Sequence, residues 1–131
     1  MISVIIISHN SEADLGRCLE SVDGSGAEVL MVDNASHDGS LHMVRERFPE
    51  VVVFPQEDNL GFAAANNLAA AKASGEALLL LNADAWLEPG ALGLLAARLE
   101  GRPEVGLVAP RLRYPDGRHH FTWSPARGVV G

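Results

Sequence analysis

The sequence predicts a doubly wound α/β fold built on a mostly parallel sheet, and three observations carry that reading. Short apolar runs rich in β-branched residues alternate along the chain with longer segments of helical periodicity. Within the runs the apolar residues are consecutive rather than alternating, as in strands covered on both faces. Several runs then end abruptly in short polar side chains, at the position where open α/β sheets bind their ligands.

Val4-Ile5-Ile6-Ile7 forms the first strand. Asn10 and Ser11 can cap a helix in which Leu15, Cys18, Leu19 and Val22 recur at helical spacing, and Gly24 and Gly26 close it. Val29-Leu30-Met31-Val32 is the second strand, followed by a helix over residues 40–48 that Pro49 stops. Val51-Val52-Val53-Phe54 is the third. Residues 61–74 are Ala-rich and helix-forming, with Gly75 as a C-terminal stop. Residues 77–81 make a fourth strand. Pro89 stands at a first helical position, and Leu92, Leu95, Ala96 and Leu99 supply the apolar face of the helix it opens. A fifth strand is expected over residues 105–109. Arg111-Leu112-Arg113-Tyr114 and His119-His120-Phe121-Thr122-Trp123 flank the turn signal Pro115-Asp116-Gly117, which predicts a C-terminal β-hairpin. The expected division is an α/β domain over residues 1–110, then over residues 111–131 the hairpin and the start of an acceptor region that is absent or truncated.

Composition narrows the function. With 131 residues, 47% hydrophobic and 21% charged, the chain is the size and character of one globular domain. A net charge of -7 argues against a nucleic-acid partner, which a basic face would be needed to hold. It does not exclude a nucleotide held locally by a few donors or by a cation. The single cysteine, Cys18, rules out an intramolecular disulfide and a multi-cysteine zinc site; on its helix's apolar stripe it reads as buried and inert. The apolar start, Met1-Ile2-Ser3-Val4-Ile5-Ile6-Ile7, lacks the basic leader of a signal peptide. No stretch reaches the roughly 18 apolar residues of a membrane span. The expected setting is cytoplasmic, with the inner face of the membrane as a variant of it.

The polar strand ends are the candidate site: Ser8-His9-Asn10, Asp33-Asn34-Ala35-Ser36 and Asn82-Ala83-Asp84. Asp33 could accept hydrogen bonds from a nucleobase or ribose, or simply organise its own turn. Asn82 and Asp84 are two apart, so their side chains share one side of an extended segment. There they could offer oxygens to Mg²⁺ or Mn²⁺, hard cations that keep substrate phosphates in their shell, or form only a strand-end turn. In Asn59-Leu60-Gly61-Phe62-Ala63-Ala64-Ala65-Asn66-Asn67, adjacent amides sit in a helix whose propensity would not select them. They could face a ligand near the helix N-terminus or bond neighbouring loops. Trp86 could line a sugar pocket or pack beneath the loop. His37, His42, His119 and His120 do not make a metal set. The Ala-rich helix could pack against another chain, making a homo-oligomer, or its small residues could serve close helix–sheet packing.

Taken together, Val4-Ile5-Ile6-Ile7-Ser8-His9-Asn10-Ser11, Val32-Asp33-Asn34-Ala35-Ser36-His37-Asp38-Gly39-Ser40, the Asn59-to-Asn67 segment and Leu79-Leu80-Leu81-Asn82-Ala83-Asp84 resemble the family-2 glycosyltransferases of the GT-A fold. Pro110-Arg111-Leu112 and Pro115-Asp116-Gly117 extend the likeness, which is strongest to the rhamnosyltransferase-like branch. The resemblance implies sugar transfer, with inversion, from a UDP- or dTDP-linked donor to a glycan or lipid-linked acceptor. It implies that Ser8 and Asn10 line the base and ribose and that Asp33 contacts one of them. Asn59, Gly61 and Asn66 match the donor-site loop and helix, and Asp84 matches the last acid of the DxD motif, the ligand of Mg²⁺ or Mn²⁺. His9, Asn34, Asn82 and Ala83 belong to the same nucleotide-sugar site. His9 stands where the family often has Tyr, and Asn82 where it has Asp, so Asn82 offers a neutral amide oxygen. The family's general base lies well downstream of the metal motif, and no residue here matches it. No catalytic base is therefore assigned: the expectation is either an incomplete piece of a longer enzyme or a binding module that holds only the donor.

Overall fold

The computed structural model describes residues 1–120; the part of the expected hairpin at 121–123, with Trp123, lies outside the described residues. Two compact units are present, Met1–Gly90 and Ala91–Gly131.

In the first unit the elements run β1 (Ile2–Ser8), α1 (Glu12–Glu20), β2 (Glu28–Asn34), α2 (Ser40–Arg47), β3 (Val52–Gln56), α3 (Phe62–Ala70) and β4 (Ala77–Asn82). The expected doubly wound sheet is present as four strands in the order β3-β2-β1-β4, all parallel. β1 lies at the centre, with Ile5 registered on Leu30 of β2 and on Leu80 of β4.

Side-chain alternation splits the core in two. Val4, Ile6, Met31 and Leu81 face α1 and α2, meeting Leu15, Cys18, Leu19, Val22, Val44 and Phe48. Ile5, Leu30 and Val32 face α3, where Ala65 and Ala69 are fully buried one helical turn apart. Two alanines leave no bulk between helix and sheet, so α3 can lie close. The helices sit on opposite faces because the first two crossovers step outward from β1 to β3, whereas the third returns past β1 to β4 and must cover the other side. On that second face Leu78 and Leu80 of β4 remain about half exposed.

The amino ends of β1 and β2 are tied to the start of β4 by Glu28. Its carboxylate accepts from Ser3 Oγ at 2.5 Å and from Ser74 through backbone N–H at 2.9 Å and Oγ at 2.7 Å. Ser3 Oγ in turn accepts from the N–H of Gly75 at 2.8 Å. Gly75 is needed for closeness: a Cβ there would stand 2.5 Å from the backbone nitrogen of Ser3.

The second unit holds α4 (Ala91–Glu100) and an antiparallel pair, β5 (Leu112–Arg113) with β6 (His119–His120). No residue of α4 is fully buried. The helix begins at Ala91 rather than at Pro89 because Gly90, at φ 82°, breaks helical geometry between them. Residues 105–111 form no strand, so the expected fifth strand is not there; Leu107 is 82% exposed, and an apolar run without a ladder partner stays irregular. The hairpin turn is as the sequence predicts, with Gly117 at φ 89° and Tyr114 N–H donating to the Arg118 carbonyl at 2.8 Å.

Two stability outcomes follow. Gly75→Ala should destabilise the domain by about 1–3 kcal/mol in urea unfolding, since backbone rather than a flexible side chain must give way. Hydrogen bonds from the Ser3 hydroxyl first, then from Ser74, hold the Glu28 carboxyl below its ordinary 4.5. A lowered folded-state value stabilises the fold above 4.5 and loses that effect as pH falls through it. Urea midpoints of wild type and Glu28→Gln should therefore converge on acidification; a constant gap would contradict the assignment.

Candidate functional site

The direction of winding reverses between β1 and β4, and the carboxyl ends of the strands at such a switch point are where open α/β sheets bind ligands. The polar ends of β1, β2 and β4 converge on that edge, with the loop before α3 beside them. Ile7 is registered on Asn82 and Ser8 on Asp33, so the Ser8-His9-Asn10, Asp33-Asn34 and Asn82-Ala83-Asp84 segments leave the sheet together.

The loops after β1 and β2 are stitched by side chains. Asn10 Oδ1 accepts from His37 N–H at 2.7 Å, and Ser36 Oγ accepts from Asn10 N–H at 2.9 Å. His9 Nδ1 lies 2.7 Å from the Asn34 carbonyl. A carbonyl can only accept, so this contact places a hydrogen on Nδ1. Both loops hold a non-glycine residue in left-handed backbone, Asn10 at φ 48° and Ala35 at φ 56°. Asparagine tolerates this; alanine does so at roughly 1–2 kcal/mol. Behind them Asp38 accepts from Glu12 N–H and from the N–H and Oγ of Ser40, while Glu12 accepts from Gly39 N–H at 3.1 Å. The starts of α1 and α2 are thus bracketed together. The Ser40 hydroxyl is the first cause of a lowered Asp38 pKa.

Asp33 takes the turn-organising role with one of its two oxygens. Its Oδ2 organises the turn, accepting from Ser36 N–H at 3.2 Å. Its Oδ1 is buried and has no hydrogen-bond partner among the described residues, and the same is true of Ser8 Oγ on the register partner. Asn34 has turned inward: its amide donates to the Gly61 carbonyl and accepts from Leu60 N–H, both at 3.2 Å, clamping the loop before α3. Asn59 Oδ1 accepts from Gly61 N–H at 2.8 Å, and Gly61 takes φ 79° to start the helix. Asn66 is buried, its amide donating back to the Phe62 carbonyl at 2.9 Å. Asn67 is exposed.

β4 ends at Asn82, so Ala83 and Asp84 stand in a turn rather than on the expected extended segment; Asn82 and Asp84 are exposed while Ala83 between them packs into the α1–α2 core. Ala83 therefore presents only backbone to a ligand. The loop is held from below by α1. The Cys18 thiol donates to the Asn82 carbonyl at 3.4 Å, Ser21 Oγ accepts from Leu87 N–H at 3.1 Å, and the Arg17 guanidinium lies 3.6 Å from the centre of the Trp86 ring. Burial, and then the negative charge of Asp84, push the Cys18 thiol up to about 12, so it stays protonated and able to donate. No signal in the sequence pairs Arg17 with Trp86, which stand 69 positions apart.

Among the described residues no three His, Cys, Asp or Glu side chains gather as a cation cage. Asp84 with the Asn82 amide is an exposed, oxygen-only donor pair. That set fits Mg²⁺ or Mn²⁺ shared with a substrate's phosphates, which typically takes only one or two protein carboxylates.

Comparison with known proteins agrees with this geometry. The family model "Glycosyl transferase family 2" matches residues 3–128. The chain is 28% identical over 131 residues to an N-acetylglucosaminyl-diphospho-decaprenol L-rhamnosyltransferase of Mycobacterium tuberculosis, covering 89% of this chain and 43% of that one. It is 38% identical over 93 residues to the O-antigen biosynthesis protein RfbC of Myxococcus xanthus, covering 69% of this chain and 7% of that protein. The structure of S. aureus TarS 1-349 in complex with UDP-GlcNAc superposes with a TM-score of 0.69 at 29% identity, over 76% of this chain and 31% of that one. The chain spans less than half the length of these proteins. By the match of the family model to nearly its whole length, the chain belongs to glycosyl transferase family 2.

Proposed function

We propose that this chain binds a nucleoside-diphosphate sugar at the carboxyl ends of β1, β2 and β4, for inverting transfer to a hydroxyl of a glycan or lipid-linked acceptor at the cytoplasmic face of the membrane. The observation that carries this reading is the pair of buried oxygens, Ser8 Oγ and Asp33 Oδ1, without partners at the head of the crevice. Buried polar atoms in native proteins nearly always have a partner. A ribose hydroxyl or base N–H would complete both once the strained loops at Asn10 and Ala35 shift to admit it. The UDP-GlcNAc complex of TarS supports a uridine or closely related nucleotide, and the mycobacterial relative's name supports a lipid-linked acceptor.

Charge decides how the diphosphate is held. It would lie near Asp84, and like charges repel. A divalent cation bound by Asp84 and the Asn82 oxygen would reverse that repulsion and stabilise the leaving diphosphate. The Asn34 clamp and the Asn59 turn fix the start of α3, whose free N–H groups add positive potential from the other side. The chain's own residues thus bind and orient the donor. The acceptor's proton needs a base that no residue here is assigned to supply.

Calorimetry with UDP or dTDP should show binding that strengthens when Mn²⁺ or Mg²⁺ is added; no heat with any nucleoside diphosphate in the presence of metal would sink the proposal. Asp84→Ala should abolish the metal-dependent part and leave the weaker remainder. Asp33→Asn keeps the shape and the Ser36 contact but removes a charged acceptor, worth roughly 1.5–3 kcal/mol, so nucleotide affinity should fall about ten- to a hundredfold. The free protein should melt no lower than wild type, because Asn keeps the turn acceptor and removes a buried negative charge. A large drop in melting temperature would assign Asp33 to folding alone.

A further inference from the structure

Three contacts run from one turn of α1 to the loop that carries Asp84, and none is explained by donor binding. They come from the carboxyl end of α1 and its cap: Arg17 over the Trp86 ring, Cys18 to the Asn82 carbonyl, and Ser21 to the Leu87 N–H. Together they hold the loop before, beyond and at its far end, with Asp84 between the first two anchors. Ser21 is itself fixed, its hydroxyl donating to the Cys18 carbonyl at 2.7 Å, so two of the three anchors are coupled.

We propose that this turn of α1 is the positioning element of the metal loop: Arg17, Cys18 and Ser21 set where Asp84 stands and so set the metal demand of donor binding. The inference rests on the donor-site reading above. The physical reason is coordination geometry. Mg²⁺ demands near-ideal octahedral placement of its oxygens, so a single protein carboxylate must be aimed by something rigid. β4 ends at Asn82, and the backbone after it is a turn closed only by Ala85 N–H to the Asn82 carbonyl at 3.0 Å. The Asn82 carbonyl therefore receives both its turn partner and the Cys18 thiol, which pins the turn to the helix below. The Arg17 guanidinium covers one face of the half-buried Trp86 ring; such a stack contributes about 0.5–1 kcal/mol at an exposed site, enough to bias a short loop without being part of the core. Trp86 is thus a loop anchor whose partner is α1, and the sugar would meet at most its other face.

Arg17 is exposed, so Arg17→Ala leaves the core intact. The test uses the whole chain carrying Trp123→Phe, which leaves Trp86 as the reporter. Mn²⁺ is titrated with saturating UDP, following free Mn²⁺ by electron paramagnetic resonance and Trp86 by its emission. Arg17→Ala and Cys18→Ala should each raise the Mn²⁺ concentration at half-saturation by about fivefold or more, corresponding to roughly 1 kcal/mol, with UDP binding in the absence of metal unchanged. Arg17→Ala should also shift the Trp86 emission to longer wavelength. Arg17→Lys and Cys18→Ser, which keep a cation and a donor, should recover most of the metal affinity. Unchanged metal demand in both alanine variants, or an equal loss of metal-free UDP binding, would overturn the positioning role. A parent protein that binds UDP equally with and without Mn²⁺ would instead refute the metal reading itself, and this inference with it.

Discussion

The molecule depends on the burial of β1 from every side. Its backbone is hydrogen-bonded to β2 on one edge and β4 on the other, while α1 and α2 cover one face and α3 the opposite one. Beyond Ser3, whose hydroxyl is satisfied by Glu28 and Gly75, such a strand carries only apolar residues until it reaches its carboxyl end at Ser8. Ser8 is still buried, yet already at the level where the helices cease to cover polar groups with apolar ones. The position of the crevice is therefore a consequence of the core: the chemistry begins where the double coverage of β1 ends. The register then brings Asp33 and Asn82 to the same edge without further instruction, because parallel strands in register end together.

What surrounds that edge is largely scaffold, and its residues resemble site residues. Asn10, Ser36, Asp38 and Glu12 spend their hydrogen-bonding capacity on one another's loops, and Asn34 spends its own on the start of α3. Short polar side chains are suited to both tasks, since each can satisfy backbone groups that a tight loop leaves open. The distinction between holding and binding lies in which atoms remain unpaired. By that measure Ser8, Asp33, Asn82 and Asp84 are available to a ligand, whereas the Asn34 amide and the Asn66 amide nitrogen are already engaged.

This explains how far the sequence could be read. The four sheet strands were legible because Val4 to Ile7, Val29 to Val32, Val51 to Phe54 and Ala77 to Leu81 are apolar on consecutive residues, and the hairpin because Pro115-Asp116-Gly117 needs a left-handed glycine. The 105–109 run carries the same pattern but has no ladder; apolar β-rich composition states what a strand could be made of, not that an edge is there to receive it. Pro89 misled for a local reason, since the adjacent Gly90 takes a conformation no helix contains. Within the site, the strand-end acids were visible from position alone. The inward turn of Asn34 and the stack of Arg17 on Trp86 were not, because both depend on contacts between segments far apart in the chain, and neither leaves a spacing to detect.

The buried oxygens of Ser8 and Asp33 join these points into one argument about selection. A fold seeking only stability would place a neutral side chain with one acceptor at position 33, for the turn needs a single acceptor and Oδ2 provides it. The second oxygen raises the free energy of the empty protein, as does Ala35 in left-handed backbone two residues on. Both penalties lie within one loop at the carboxyl edge, and both would be relieved by the same event, a ligand that donates to Asp33 while the loop relaxes around it. Strain and unpaired polarity set side by side are weak features singly. Together, at the carboxyl edge of the sheet, they are what the donor-site proposal rests on, since a bound donor would lower the free energy of both at once.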